Sequence, residues 1–239
     1  KRLETAEKSR VKARLFDRLL FRHWTSWWDG TRSHLFVVPA TGGPALDLTP
    51  GDIDVPPVAL GGTQDYVFSP DGKELAYVAN VDPEFRLGLG TNNDIFVVPT
   101  AGGRPESLTT NKANDHSPRF SPDGRFLAYL AMSRPGFEAD KLDIIILDRK
   151  TGGRVNLTEK LDRSAGELAW NPDGSALFFE AEEKGRNSVF RAIPASGKVE
   201  KVLEGHSVSS LNVAPDGHGL FFLKQSISEP ADIWSLDLR

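Results

Sequence analysis

Short apolar runs alternate with turn sequences along most of the chain. Four turns of the type Ser-Pro-Asp-Gly have their prolines at positions 70, 122, 172 and 215, so the pattern repeats every 43 to 52 residues. Each turn is followed by one short apolar run and later by a second, which favours antiparallel strands over helices. The first runs are 75–79, 127–131, 176–179 and 220–223, and the second are 94–98, 143–147, 188–193 and 232–236.

This spacing is typical of β-propeller blades, each of which is a four-stranded antiparallel sheet. We predict an all-β fold, a β-propeller with about four complete or near-complete blades and one partial blade. Segment 1–33 leads into the propeller domain at 34–239. Both terminal blades are unfinished, so we expect an incomplete ring whose open edges allow self-association. The blades are expected at 34–49 (partial), 66–108, 117–157, 167–203 and 209–239.

The repeated turn has a mechanical explanation. Proline sets φ at the second turn position, Asp suits the third, and Gly adopts the positive φ that lets the chain reverse between two strands. We therefore interpret the four aspartates as turn residues and not as metal ligands, since one per blade places them far apart around a ring. They are Asp71, Asp123, Asp173 and Asp216.

The N-terminal segment has a different pattern. Val11, Leu15 and Leu19 are spaced as on one face of a helix, so we predict a helix that leads into a strand. Residues 15–24 are also compatible with a strand, and this alternative stays open. Residues 1–8 are charged and lack the apolar core of a signal peptide, which leaves periplasmic, secreted and cytoplasmic locations in a bacterium open.

Charge and composition narrow the function classes. A formal net charge of −4 provides no basic surface for phosphates, so no nucleic-acid partner is expected. The longest apolar runs, such as 144–147, are far shorter than the roughly 18 residues of a membrane helix, so no membrane association is expected.

No catalytic, metal or cofactor site is expected. Ser207 lies in Gly-His-Ser-Val-Ser, which lacks the last glycine of a Gly-x-Ser-x-Gly elbow and precedes a strand instead of joining a strand to a helix. The five histidines show no zinc-binding spacing, and the chain has no cysteine. Glu182 and Glu183 could bind an amino group, but we interpret the charged segment 180–187 as a solvated loop.

Two segments stand out as candidate contact regions. Residues 22–28 hold three of the five tryptophans, which either pack between blades or form a platform for a ligand or partner. Residues 134–140 place a Phe among charged neighbours in a loop between two strands, either a plain surface loop or a contact loop. Because successive strands alternate in direction, this loop shares one face with the other long loops, where binding is expected.

These residues together resemble the propeller of the prolyl oligopeptidase family of serine peptidases, in particular its dipeptidyl-peptidase V-like and acylaminoacyl-peptidase-like members. In that family the propeller caps an α/β-hydrolase domain with the catalytic triad, and no such domain is found in this sequence. The resemblance implies a non-catalytic propeller that gates peptide substrates and helps to hold their amino end. The resembling stretches are 19–24, 28–30, 34–38, 91–96, 134–140, 161–164 and 169–174.

Substrate contacts are assigned from these motifs and from the loop face alone, and they are Arg22, Trp24, Trp28, Glu138 and Asp140. The expected partner is a peptide substrate, reached through a hydrolase domain outside this sequence. The Ser-Pro-Asp-Gly repeats also occur in TolB propellers. The alternative is therefore a TolB-type propeller that acts as a protein–protein interaction module.

Overall fold

A computed structural model of the protein describes residues 8–11, 13, 16, 20–83 and 88–239. The predicted N-terminal helix falls mostly on residues outside this set. The described part of the same segment contains a short hairpin, in which β1 (Arg22–His23) pairs with β2 (Ser26–Trp27). A single turn of 3₁₀ helix lies at Thr63–Asp65.

The other strands form a partial blade and four further blades, all antiparallel. The partial blade pairs β3 (Phe36–Val37) with β4 (Leu46–Asp47). Blade 1 consists of β5 (Tyr66–Phe68), β6 (Glu74–Ala79), β7 (Asp94–Pro99) and β8 (Glu106–Ser107). Blade 2 consists of β9 (Asp115–Phe120), β10 (Phe126–Ala131), β11 (Asp143–Asp148) and β12 (Arg154–Asn156). Blade 3 consists of β13 (Ala165–Trp170), β14 (Leu177–Glu183), β15 (Arg186–Ile193) and β16 (Lys198–Leu203). Blade 4 consists of β17 (Ser207–Val213), β18 (Gly219–Gln225) and β19 (Asp232–Asp237).

Blades 1 to 3 are meanders in which strands adjacent in sequence are adjacent in the sheet. The predicted fold class, a β-propeller of four-stranded antiparallel blades, is confirmed. Among the described residues, β3 and β19 each keep one edge without a paired strand, as expected for an incomplete ring. The division into units at 1–33 and 34–239 stays a prediction.

The core lies between successive blades. Ala76 and Val78 of β6 pack with Leu127 and Tyr129 of β10, and equivalent clusters join the partial blade to blade 1, blade 2 to blade 3, and blade 3 to blade 4. The second strand of each of blades 1 to 3 is buried on both faces, which explains why these strands read as continuous apolar runs instead of alternating ones.

The Ser-Pro-Asp-Gly segments form the predicted turns between the first and second strands of a blade. Gly72 has a φ of 70°, a value that favours glycine. The Asp71 carboxylate accepts hydrogen bonds from the Ser69 hydroxyl (2.7 Å) and the Lys73 backbone N–H (3.1 Å). These two bonds lower the pKa of Asp71, so the charged carboxylate stabilises the turn through its hydrogen bonds.

Turns of successive blades lie side by side. A Cβ placed on Gly124 would be 3.7 Å from Cδ of Pro70, and one on Gly174 would be 3.8 Å from Cδ of Pro122. These turns therefore share one face of the molecule, which we call the turn face. Because strands alternate in direction, the loops that join the second strand to the third, and one blade to the next, lie on the opposite face, the loop face.

The structure corrects the interpretation of 180–187 as a solvated loop. Residues 180–183 continue β14, and Glu183 pairs with Arg186 of β15. Lys184 and Gly185 alone make the turn, with φ values of 54° and 74°, the positive pair that a tight hairpin turn requires. The charge of Glu183 is tolerated in the sheet because Lys201 binds its carboxylate.

Candidate binding face

The loop between β10 and β11 is held in shape by Asp140. Its buried carboxylate accepts hydrogen bonds from the backbone N–H groups of Ser133 (2.9 Å) and Arg134 (2.7 Å) and from the Arg134 guanidinium (2.6 Å). Burial alone would raise the pKa of Asp140, but these hydrogen bonds hold that pKa well below its usual range. The Asp140 carboxylate is thus bound by groups of its own loop, and these bonds fix the conformation of the loop.

Arg134 and Phe137 are the side chains that this loop presents to solvent. The Arg134 guanidinium carbon lies 4.3 Å from the centroid of the Phe137 ring, and the ring is 43% exposed. Glu138, the neighbouring predicted contact residue, is also exposed. A cation stacked on an aromatic ring forms a flat surface that contacts apolar and anionic groups.

The hairpin of β1 and β2 carries the other predicted residues. Trp24 lies at its tip and is 85% exposed. Trp28 donates its indole N–H to a backbone carbonyl three residues later, and its ring lies 5.0 Å from the guanidinium carbon of Arg32. The guanidinium carbon of Arg22 lies 5.8 Å from the Trp27 ring. Trp24 is therefore exposed at the tip of the hairpin, whereas the Trp28 ring contacts Arg32. A substrate contact by either residue stays a prediction.

A cavity of about 180 Å³ opens between the partial blade and blade 1. Its wall contains three carboxylates, one guanidinium and several aliphatic side chains. The Arg32 guanidinium donates to Asp52 (2.8 Å) and Asp54 (2.8 Å). The excess of carboxylates suits a ligand that carries an amino group beside an apolar part. The main lining residues are Arg32, Asp52, Ile53, Asp54, Val58 and Asp82.

The segment that follows β6 connects this cavity to the Asp140 loop. Asp82 lines the cavity and accepts a hydrogen bond from the buried amide of Asn92 (2.9 Å). Thr91, which directly precedes Asn92, accepts a hydrogen bond through its hydroxyl from the backbone N–H of Gly136 (3.0 Å). The segment therefore contacts the Asp140 loop through Thr91 and lines the cavity through Asp82, and the cavity is also lined by Arg32, which contacts the Trp28 ring.

Sequence reasoning missed the polar groups that line the cavity. Arg32 follows the tryptophan-rich segment directly, and Asp52 and Asp54 form an Asp-x-Asp pattern, so weak signals were present. Nothing in a single sequence indicates that residues 20 and 22 positions apart form ion pairs. Their association depends on how the partial blade turns into blade 1.

Apart from the cavity, two of the buried carboxyl groups, those of Asp115 and Glu180, have a strongly raised pKa. Burial raises the pKa of Asp115 to about 7, although its oxygens accept hydrogen bonds from the Asn111 amide (2.6 Å). Burial, with the negative charge of Glu167, raises the pKa of Glu180 to about 7 as well. Both groups change charge near neutral pH, so they link the stability of the fold to pH.

In the part of the chain that the structure describes, no three His, Asp or Glu side chains are grouped to hold a metal ion. No helix of that part is long and apolar enough to cross a membrane. Ser207 is the first residue of β17 and pairs with Gln225 of β18.

Comparison with protein families gives a match from the first strand of blade 1 to the end of blade 4. The PD40 family, described as the TolB β-propeller domain, matches residues 67–238. The chain belongs to this family. The PD40 assignment agrees with the Ser-Pro-Asp-Gly repeats, which lie within the matched residues.

Sequence relatives of this PD40 propeller are peptidases. Dipeptidyl-peptidase 5 of Porphyromonas gingivalis is 26% identical over 234 residues, which cover 95% of this chain and 34% of that protein. The chain spans about a third of the length of the curated relatives it matches. The resemblance to peptidase propellers inferred from the sequence is confirmed.

Solved structures share the fold. A putative TolB from Agrobacterium tumefaciens has a TM-score of 0.64 and 20% identity, with 87% of this chain and 71% of that chain covered. The acylaminoacyl peptidase of Pyrococcus horikoshii has a TM-score of 0.57 and 16% identity, with 83% of this chain and 28% of that chain covered. At these identities the likeness establishes the PD40 propeller fold alone.

Proposed function

We propose that this PD40 propeller is the non-catalytic, substrate-gating part of a serine exopeptidase of the dipeptidyl- or acylaminoacyl-peptidase type. One observation carries the proposal: a sequence related to dipeptidyl-peptidase 5 over 95% of its length has a carboxylate-lined cavity on its loop face. A gate needs a rigid scaffold with a site that recognises one end of the peptide. The cavity supplies carboxylates for the positively charged amino end and aliphatic walls for the adjoining side chain.

The contacts divide the five candidate residues by role. In the proposal, Trp24 and Glu138 touch the peptide, because both are exposed. Trp28 and Asp140 act through the arginines that they hold, Arg32 and Arg134. Arg22 is part of β1, and its guanidinium lies over the Trp27 ring of β2 and supports the hairpin that carries Trp24.

Peptide binding by this chain tests the proposal. A tripeptide with a free amino group is expected to bind, and the same peptide with an acetylated amino group is expected to bind at least about tenfold more weakly, since a charge-assisted hydrogen bond is lost. Asp82→Asn should weaken binding of the free peptide, whereas Glu106→Gln, an exposed substitution in β8, should not. Equal binding of the two peptides by titration calorimetry would contradict the proposal.

The peptidase part of the proposal has its own test. We expect the coding sequence after Arg239 to contain a Gly-x-Ser-x-Gly elbow followed by Asp and His within about 300 residues, the size of a hydrolase domain. The isolated chain is expected to show no turnover of dipeptidyl or aminoacyl chromogenic substrates. A stop codon directly after Arg239, or turnover that Ser207→Ala abolishes, would overturn it.

A second candidate function is a TolB-type protein–protein interaction module. The PD40 match and the likeness to a putative TolB favour it. It requires no discrimination between free and acetylated amino groups, so the peptide experiment separates the two. Self-association through open blade edges also stays a prediction, and light scattering at high protein concentration would show a dimer or larger species if it occurs.

A further inference from the structure

Three consecutive polar side chains are buried just before β7. Thr91, Asn92 and Asn93 are only 2%, 3% and 2% exposed, although threonine and asparagine are mostly surface residues. Burying such a group lowers stability unless the group finds a hydrogen-bond partner. We call residues 91–93 the polar segment, and the partners of its side chains indicate what each of them does.

The side chains of Thr91 and Asn93 are bound by other parts of the chain. The Thr91 hydroxyl accepts a hydrogen bond from the backbone N–H of Gly136 (3.0 Å). The Asn93 amide donates to the side-chain oxygen of Asn114 (3.0 Å) and to the carbonyl of Ala59 (3.3 Å), which is one of the residues that line the cavity. These bonds hold three loops together, so the fold itself accounts for both side chains.

Asn92 is different, because only one half of its amide is satisfied. Its amide N–H donates to the Asp82 carboxylate (2.9 Å), whereas its Oδ1 accepts no hydrogen bond from a described residue. The amide cannot turn over to exchange the two atoms, since an ionised carboxylate only accepts hydrogen bonds and needs the N–H side. The fold therefore keeps a buried oxygen unpaired, which lowers its stability, while it supplies one hydrogen bond to Asp82.

Asp82 differs from the other carboxylates of the cavity. Asp52 and Asp54 each form an ion pair with the Arg32 guanidinium, at 2.8 Å in both cases. Asp82 forms no ion pair among the described residues, and the side-chain donor that its carboxylate has there is Asn92. The charge of Asp82 is therefore the one that remains for a ligand with an amino group.

We propose that Asn92 is a positioning residue that holds the Asp82 carboxylate in place for the amino end of a bound peptide. The inference rests on the proposed function, because it concerns the cavity that binds the amino end there. The amide N–H fixes one oxygen of the carboxylate and leaves the other to accept hydrogen bonds from an ammonium group. Asn92 acts through Asp82 and does not touch the peptide, since its own side chain is buried.

A purely structural role is the alternative, in which Asn92 only ties Asp82 to the start of β7. The two roles differ in what the loss of Asn92 affects. Loss of a structural asparagine destabilises the fold and weakens the binding of every ligand alike. Loss of a positioning asparagine removes an unpaired buried oxygen together with one hydrogen bond, so it changes stability little and affects only ligands that use the charge of Asp82.

The test measures two affinities by titration calorimetry, those for a tripeptide with a free amino group and for its acetylated form. With Asn92→Ala we expect the affinity for the free peptide to fall about tenfold and that for the acetylated peptide to change less than about twofold. Asn92→Leu keeps a branched side chain without the N–H or the oxygen, and it should shift the ratio of the two affinities in the same way.

Control variants separate Asn92 from its surroundings. Asn93→Ala, in the same segment, should weaken both peptides alike and should lower the midpoint of urea unfolding more than Asn92→Ala does, because it removes the donor to Asn114. Asn212→Ala, at an exposed position of β17, should change neither affinity. In an Asp82→Asn background, Asn92→Ala should have no further effect on the ratio, since Asn92 acts through the charge of Asp82.

The possible outcomes are distinct. A ratio of affinities that stays at the wild-type value in both Asn92 variants would overturn the proposal. Equal weakening of both peptides, or a midpoint as low as that of Asn93→Ala, would assign Asn92 a structural role and overturn it as well. A wild-type chain that binds the free and the acetylated peptide equally would contradict the proposed function itself, and with it the role of Asn92.

Discussion

Replacing Glu180 by leucine is expected to stabilise the fold, and to do so more strongly at pH 8 than at pH 5. Glu180 is 8% exposed, and its Oε1 lacks a hydrogen-bond partner among the described residues. It stands eight residues after its turn proline, where blades 1 and 2 have Val78 and Leu130, both in the cores between blades. Glu180 is therefore a carboxyl group at a position that the repeat reserves for an apolar side chain.

The magnitude follows from its ionisation. Burial and then the charge of Glu167 raise the pKa of Glu180 from an ordinary 4.5 to about 7. A tenfold change in an ionisation constant corresponds to about 1.4 kcal/mol, so holding the charged form inside the fold costs about 3 kcal/mol. Glu167 is exposed, and solvent there screens part of that cost, which leaves about 2 kcal/mol.

The sign is set by the order of the two pKa values. The unfolded carboxyl ionises near 4.5 and the folded one near 7, so the stability that the neutral form provides is complete below pH 4.5 and is lost as the pH rises to 7. A leucine at this position does not ionise, so its contribution to the stability of the fold does not fall as the pH rises. Its advantage therefore grows through this window and levels off above about pH 8.

Urea unfolding followed by tryptophan fluorescence measures the effect. Glu180→Leu should raise the free energy of unfolding by about 3 kcal/mol at pH 8, where about 2 kcal/mol comes from the removed ionisation and about 1 kcal/mol from burial of the leucine. At pH 5 the increase should be about 1.5 kcal/mol, because only a small part of the ionisation cost is present there. Glu182→Leu, an exposed change in the same strand, is the matched control and should change it by less than about 0.5 kcal/mol. A wild-type and a Glu180→Leu chain with the same dependence on pH would refute the reasoning.

Three further predictions concern other buried polar groups. Asp115→Asn should remove the part of the stability loss between about pH 4 and pH 7 that Asp115 contributes, measured by thermal unfolding across that range, because the neutral amide replaces a carboxyl whose folded pKa is about 7. The part that Glu180 contributes should remain in this variant. Asp140→Asn should accelerate hydrogen exchange at the Arg134 amide by about tenfold or more, since charge-assisted hydrogen bonds worth about 1.5–3 kcal/mol each are weakened; unchanged exchange would argue against its role in holding the loop. Thr158→Val should lower the free energy of unfolding by about 1–2 kcal/mol in urea, whereas the exposed Thr110→Val should leave it nearly unchanged.

Much of the fold could be predicted because each blade is specified locally. The turn prolines and glycines set where strands reverse, and continuous apolar runs indicate strands buried on both faces. The end of β14 was not predicted, because strands were recognised by their apolar runs. Residues 180–183 are mostly charged, so their pattern indicates a loop, and their pairing with β15 becomes visible only when the neighbouring strand is in place.

The candidate site was predictable in outline and not in its chemistry. The segments 22–28 and 134–140 were identified as candidate contact regions from their aromatic and charged residues, and 134–140, between β10 and β11, lies on the loop face. The role of Asp140 was not evident, because a carboxylate that closes its own loop looks the same in sequence as one that meets a substrate. Its four hydrogen bonds to Ser133 and Arg134 distinguish the two.

The amino-acid sequence by itself determined the architecture of this protein, since turn conformation and strand burial depend on neighbouring residues and repeat along the chain. Tertiary structure alone decided where polar groups lie: Arg32 meets Asp52 and Asp54 around a cavity, and Glu180 is buried inside a blade interface. These arrangements depend on how one blade packs on the next. The physical reason is that hydrogen bonds and burial across a blade interface join residues far apart in sequence, and no local pattern records such pairs.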